Sequence, residues 1–134
     1  MIPELRADAL VRGVETDLAT AMESLRRLSD VLAVAVARRD GFIISHILPR
    51  GSDPKKVAAM CAALVGTSEL AARELNQGRF LQSIVEAEQG KVISTGAGEQ
   101  ALLVTIVRPE ANMGLVLLSI ERAAREVEVI LSGD

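Results

Sequence analysis

The run VLAVAVARRDGFIISHIL (31–48) decides the fold. Its two halves, 31–38 and 42–48, are β-prone and are joined by Arg39-Asp40-Gly41. Asp-Gly supplies the positive φ angles that a tight hairpin turn requires, so two adjacent antiparallel strands are predicted. In the first strand Leu32, Val34 and Val36 are expected on one face and Ala33, Ala35 and Ala37 on the other, because side chains alternate along a strand. A face of alanines would let a helix lie close to the sheet.

Upstream of the hairpin, Val11, Val14, Leu18, Ala21, Leu25 and Leu28 recur at alternating steps of three and four. That is the stripe of an amphipathic helix, expected over about residues 5–28. Pro3 suits a first helical turn, and Arg12, Glu15, Glu23 and Arg26 fall on the opposite side. Downstream, PRGSD (49–53) reads as a loop. Asp53-Pro54 then supplies an N-cap followed by proline at the first helical position. This second helix is expected to reach about Asn76, with Gly78 as its stop.

Three strands follow as a meander: FLQSIVEA (80–87), KVIST (91–95) and QALLVTIVR (100–108). Gln89-Gly90 and Gly96-Ala97-Gly98 mark their turns. The last strand is apolar on both faces, which predicts a central position covered on both sides. A final helix over about 112–131 carries the stripe Met113, Leu117, Ile120, Ala124, Val127 and Leu131, with Asn112 as N-cap. The predicted order is α-β-β-α-β-β-β-α, an α/β fold of the α+β type. It forms a single domain over residues 1–134, with one five-stranded antiparallel sheet and helices on both of its faces.

Composition narrows the function. The 134 residues are 49% hydrophobic and 25% charged, enough for a core and unlike a disordered chain. There is no Trp or Tyr and only Phe42 and Phe80, so the core must be aliphatic. Few aromatics and a net charge of −3 argue against nucleic acid, which is held by stacking platforms and clustered Lys and Arg. Cys61 is the lone cysteine and His46 the lone histidine, so neither an internal disulfide nor a Cys/His zinc site is expected. The opening MIPELRADAL has acids and no apolar run, so no signal peptide is expected. No stretch approaches the ~20 apolar residues of a membrane span. A cytoplasmic protein without membrane insertion is expected.

The second helix is apolar on two sides. Val57, Met60, Cys61, Leu64, Ser68, Ala71 and Leu75 are expected to face the sheet. The opposite side holds Ala59, Ala62, Ala63, Gly66 and Leu70, edged by Lys55, Glu69 and Arg73. One reading is a close helix–helix contact with a second copy of the chain, related by a two-fold axis. The other is an ordinary exposed face, since Ala is the best helix former. Gly66, a poor helix former, favours the contact. The strand from Phe80, with Ser83, Ile84, Val85 and Glu86, could pair with its symmetry mate if it lies at an edge. Alternatively Gln82, Glu86 and Glu88 protect that edge.

Catalytic motifs fail on context. GAGEQA (96–101) matches a loose dinucleotide pattern, but a strand follows it where a helix is needed. No G-x-x-x-x-G-K-[ST] motif occurs. Ser45 and His46 are neighbours on a strand and point to opposite faces. Cys61 reads as an inert core thiol. Glu86 and Glu88, two apart and expected on one strand face, would need a pocket to shift one pKa, and an exposed edge does not supply one. Arg73 and Arg79 are candidate partner contacts. No enzyme activity, cofactor or metal is expected.

The hairpin 31–45, the alanine-rich helix 53–80 and the closing segment 100–127 together resemble the roadblock family. This family includes roadblock-type dynein light chains and prokaryotic, MglB-like regulators of Ras-like small GTPases. The resemblance covers about residues 8–131. It implies a roadblock fold, related to longin and profilin-like folds, and dimers formed through the middle helix and the strand after it. On this chain those are Ala59, Ala63, Gly66 and Leu70, and Phe80 to Glu86. It brings no catalytic residues and assigns no arginine finger. It implies a homodimer that binds a Ras-like small GTPase and shifts its nucleotide state. The alternatives are an adaptor subunit without effect on GTP turnover and, less suited to an aromatic-poor core, a small-molecule sensor.

Overall fold

The computed structural model describes the backbone of residues 3–133 and side chains from Leu10 onward. Met1, Ile2 and Asp134, included in the expected 1–134 unit, lie outside the described residues. The elements are α1 (Pro3–Arg26), β1 (Val31–Arg38), β2 (Ile43–Ile47), α2 (Pro54–Glu74), β3 (Gln82–Ala87), β4 (Gly90–Ala97), β5 (Ala101–Val107) and α3 (Met113–Ser132). All strand pairings are antiparallel, and the sheet order is β2-β1-β5-β4-β3. The both-sided apolar strand β5 is central, as expected, and β2 and β3 are the edges.

Local chemistry sets the boundaries. The Asp53 carboxylate accepts hydrogen bonds from the Lys55 and Lys56 backbone N–H groups at 3.1 and 3.4 Å, capping α2. Asn112 caps α3 by accepting from the Leu115 N–H, and Asp30 anchors that cap by accepting from the Asn112 N–H at 2.9 Å. Gly41 turns the β1–β2 hairpin at φ +98°, where a side chain would be strained. A Cβ there would stand in ordinary contact with Ala59 of α2, at 3.5 Å.

The main core lies under α1 and α3. Leu18, Met22 and Leu25 of α1 and Val116, Ile120 and Val127 of α3 pack with Val34, Val36, Ile93 and Leu103 of the sheet. The α3 stripe is wider than expected, with Val116 and Ala123 also buried. At the other end of the α1 stripe, Val11 is exposed.

One strand phase differs from expectation. The β1–β5 register shifts between Val31 and Ala33, and Leu32 at that irregularity is 43% exposed. Val31 takes its place in the core beside Val34 and Val36. An extra residue in one strand breaks the two-residue period, which pattern reading assumes to be continuous.

Candidate interaction face

α2 covers the opposite face of the sheet with a thin seam. Ala58, Cys61 and Val65 are its buried residues, and Cys61 packs with Ala35 and Val104 of the sheet. Val57, Cys61, Leu64 and Ser68 are buried or half-buried as expected, but the helix is rotated by part of a turn. Met60, Ala71 and Leu75, expected inward, are exposed, while Ala58 and Val65 take the inner positions. The physical reason is the apolarity of both sides: periodicity leaves the phase of such a helix undetermined, and small Ala35 and Ala58 let the backbone settle close to the strands.

On the outward side Ala59, Ala63, Gly66 and Leu70 are exposed, joined by Met60. Ala62 is half-buried and turned toward the Gly41 turn. A Cβ added at Gly66 would meet nothing within 4 Å, so no contact within the chain explains its glycine.

β3 begins at Gln82, two residues later than expected, and among the described residues pairs only with β4. Its outer edge is open. Leu81, Ile84 and Val85 expose apolar surface along it, and Glu86 is exposed near its end. Two hydroxyls pin this strand to α2: Ser83 Oγ donates to Ser68 Oγ at 2.8 Å, and Ser68 Oγ donates to the Leu64 carbonyl at 2.8 Å. The outward face of α2 and the open edge thus form one surface.

Arg39 fixes the far side of α2. Its guanidinium donates to Glu69 Oε1 at 2.7 Å and to the Gly98 carbonyl at 3.0 Å. It lies flat on β4 because Gly96 has no side chain; a Cβ there would stand 2.7 Å from the guanidinium nitrogen. Residue patterns gave Arg39 only the role of a hairpin-turn residue. The nearby Gly96 and Gly98, read as turn markers, were the sole signal of a close approach.

Between the end of α2 and the start of β3 lies an open cleft of about 520 Å³. It is lined by Glu69, Arg73, Asn76, Gly78, Arg79 and Phe80. The two arginines singled out as partner contacts are thus brought together, beside half-buried Phe80. Among the described residues neither has an ion-pair partner. The natural helical partner of Arg73, Glu69 one turn before it, is held by Arg39.

The structure gives the remaining candidates no shared site. His46 is exposed on β2, and Ser45 beside it is half-buried. Burial pushes the Cys61 thiol up from its ordinary pKa, with the Ser94 hydroxyl acting weakly against it. Glu88 lies in the β3–β4 turn, so it does not share a strand face with Glu86 as expected. GAGEQA ends β4, makes the turn and enters β5, as its context required. Among the described residues no group of His, Cys, Asp and Glu could hold a metal ion, and no helix is long and apolar enough to cross a membrane.

Comparison with known proteins places this geometry. The family model for the Roadblock/LC7 domain matches residues 18–107. An uncharacterised protein of Methanocaldococcus jannaschii is 31% identical over 106 residues, covering 79% of this chain and 92% of that one. The structure of Myxococcus xanthus MglB superposes with a TM-score of 0.82 at 22% identity, covering 89% of this chain and 98% of that one. A structure of MglB with a tetrameric arrangement gives 0.82 at 23% identity, with 90% and 91% covered.

Proposed function

Because this chain belongs to the Roadblock/LC7 domain family, we propose that it works as a homodimer that binds a Ras-like small GTPase and modulates the GTPase's nucleotide state. The observation that carries the dimer is the continuous apolar surface of α2 and β3. Gly66 lacks an intramolecular reason, Leu70 is 53% exposed, and the adjoining β3 edge is open. A two-fold axis along this surface would pack the α2 helices together and join two five-stranded sheets edge to edge. Ala59, Ala63, Gly66 and Leu70 would meet their mates at the helices, with Ser83, Ile84, Val85 and Glu86 at the strand.

The GTPase half of the reading is supported by the family resemblance and by the fold shared with MglB. The mechanism is differential binding. A dimer that prefers one nucleotide state shifts the GTPase toward it, and the chemistry stays in the GTPase's own active site. In a single-turnover assay with the dimer in excess over a Ras-like GTPase of the same organism, GTP-state-selective binding and faster hydrolysis are expected. Binding with unchanged turnover would replace the regulator by an adaptor. No binding to any such GTPase would overturn the reading.

A further inference from the structure

We propose that the cleft at the end of α2 is an oxyanion site for a phosphate monoester, with the phosphate on Arg73 and Arg79 and the organic part against Phe80. The site stands apart from the dimer and GTPase readings above.

Cations converge there without a counter-charge. Arg73 lies in the last turn of α2, Arg79 stands just before β3, and both line the cleft. The one carboxylate in the lining, Glu69, already accepts from the Arg39 guanidinium at 2.7 Å. Among the described residues neither Arg73 nor Arg79 has an ion-pair partner. In a chain of net charge −3, this cleft is a local reversal of sign.

The backbone suits an anion as well. Gly78 has no side chain, so its main chain forms part of the wall. Among the described residues the N–H groups of Gly78, Arg79 and Phe80 have no acceptor. Free N–H groups in succession beside a left-handed turn residue are a recurrent anion setting, and Gly78 has φ +87°. A helix C-terminus opposes negative charge through its free carbonyls. Here those carbonyls are engaged: Ala71, Ala72 and Arg73 accept from the backbone N–H groups of Leu75, Gln77 and Asn76, and Leu75 accepts from Gln77 Nε2.

Two guanidinium groups select the ligand. A single carboxylate would leave one arginine unpaired. A phosphate monoester carries roughly −1.5 to −2 charges at pH 7 and three acceptor oxygens, which arginine meets with paired N–H donors. Half-buried Phe80 gives an apolar wall to the group that the phosphate esterifies. The open volume of about 520 Å³ admits a phosphate with a ring attached.

The test is a titration of the full chain with phenyl phosphate and with inorganic phosphate, read by phosphorus NMR and by the rise in melting temperature. Saturable binding is expected, tighter for phenyl phosphate. Arg73→Gln/Arg79→Gln should weaken it by about tenfold or more, since charge-assisted hydrogen bonds are lost. Arg12→Gln/Arg122→Gln removes equal charge from exposed positions elsewhere and should leave the affinity unchanged. Affinity should fall between about pH 7.5 and about pH 5, as the ester loses its second charge. No saturation, unchanged binding by the Arg73/Arg79 variant or an equal loss in the Arg12/Arg122 variant overturns the site. Equal affinity for the two phosphates overturns the ester and the part given to Phe80.

Discussion

Under α1 and α3 the sheet buries Leu18, Met22, Val34, Ile93, Leu103, Ile120 and Val127; under α2 the buried apolar set is Ala35, Ala58, Cys61, Val65 and Val104. The first set is large side chains drawn from two helices and three strand positions. The second is mostly small ones, from a single helix and two strand positions. α2 spends little of its apolar surface on its own sheet and leaves Met60, Leu70 and Leu75 outside. To hold its place it relies on polar ties, Arg39 to Glu69 on one flank and Ser68 to Ser83 on the other. One layer is thus a thick core, while the other leaves apolar surface uncovered within the chain.

Truncation should separate the two layers. Ile120→Ala removes a fully buried side chain from the larger core and is expected to cost about 2–5 kcal/mol in denaturant unfolding. Val65→Ala on the α2 seam loses roughly two methylene equivalents, about 1.5 kcal/mol. Equal losses at the two sites would erase the distinction.

Gly66 probes the outer side alone. Since open space surrounds it within the chain, Gly66→Ala should raise the stability of dilute, monomeric protein by about 1 kcal/mol through helix propensity. Gly66→Leu should melt no earlier than wild type when dilute, yet fail to dimerise. A Gly66→Leu chain that is destabilised as a monomer would mean that the outward face is already occupied from within.

The smallest effect concerns Cys61. Its thiol pKa is raised in the folded state by burial, so the folded chain holds that proton more tightly than the unfolded chain. The associated stability is complete below the ordinary thiol value of 9.0 and is lost as pH rises above it. Thiol labelling of native protein at neutral pH should therefore be slow beside the denatured chain. Equally fast labelling would show that α2 lifts readily from the sheet.

The sequence made the sheet legible because its signals are local: Asp40-Gly41, Gln89-Gly90 and the both-sided apolar run 101–107 each mark one turn or one position. The α1 and α3 faces were legible because a single apolar stripe fixes a helix's rotation. Leu32 was misplaced because a bulge leaves no mark in an unbroken aliphatic run. The rotation of α2 was legible only in part, with Val57, Cys61, Leu64 and Ser68 turned inward as expected and Met60, Ala71 and Leu75 not, because its two apolar sides compete as candidates for the sheet. Arg73 and Arg79 could be noticed as cations, but their convergence depends on the left-handed Asn76 and Gly78 that bend the chain between α2 and β3. Arg39 escaped because its partners, Glu69 and Gly98, lie 30 and 59 residues away.

The purely aliphatic interior has an optical consequence. With neither Trp nor Tyr in the chain, the protein is almost dark in the near ultraviolet, and its two phenylalanines lie at the rim: Phe42 exposed under the Arg38 guanidinium, Phe80 in the cleft. In a mixture, emission excited at the indole band would report solely on the binding partner. A single tryptophan introduced at Phe80 would give the chain a lamp in that cleft, readable without any label.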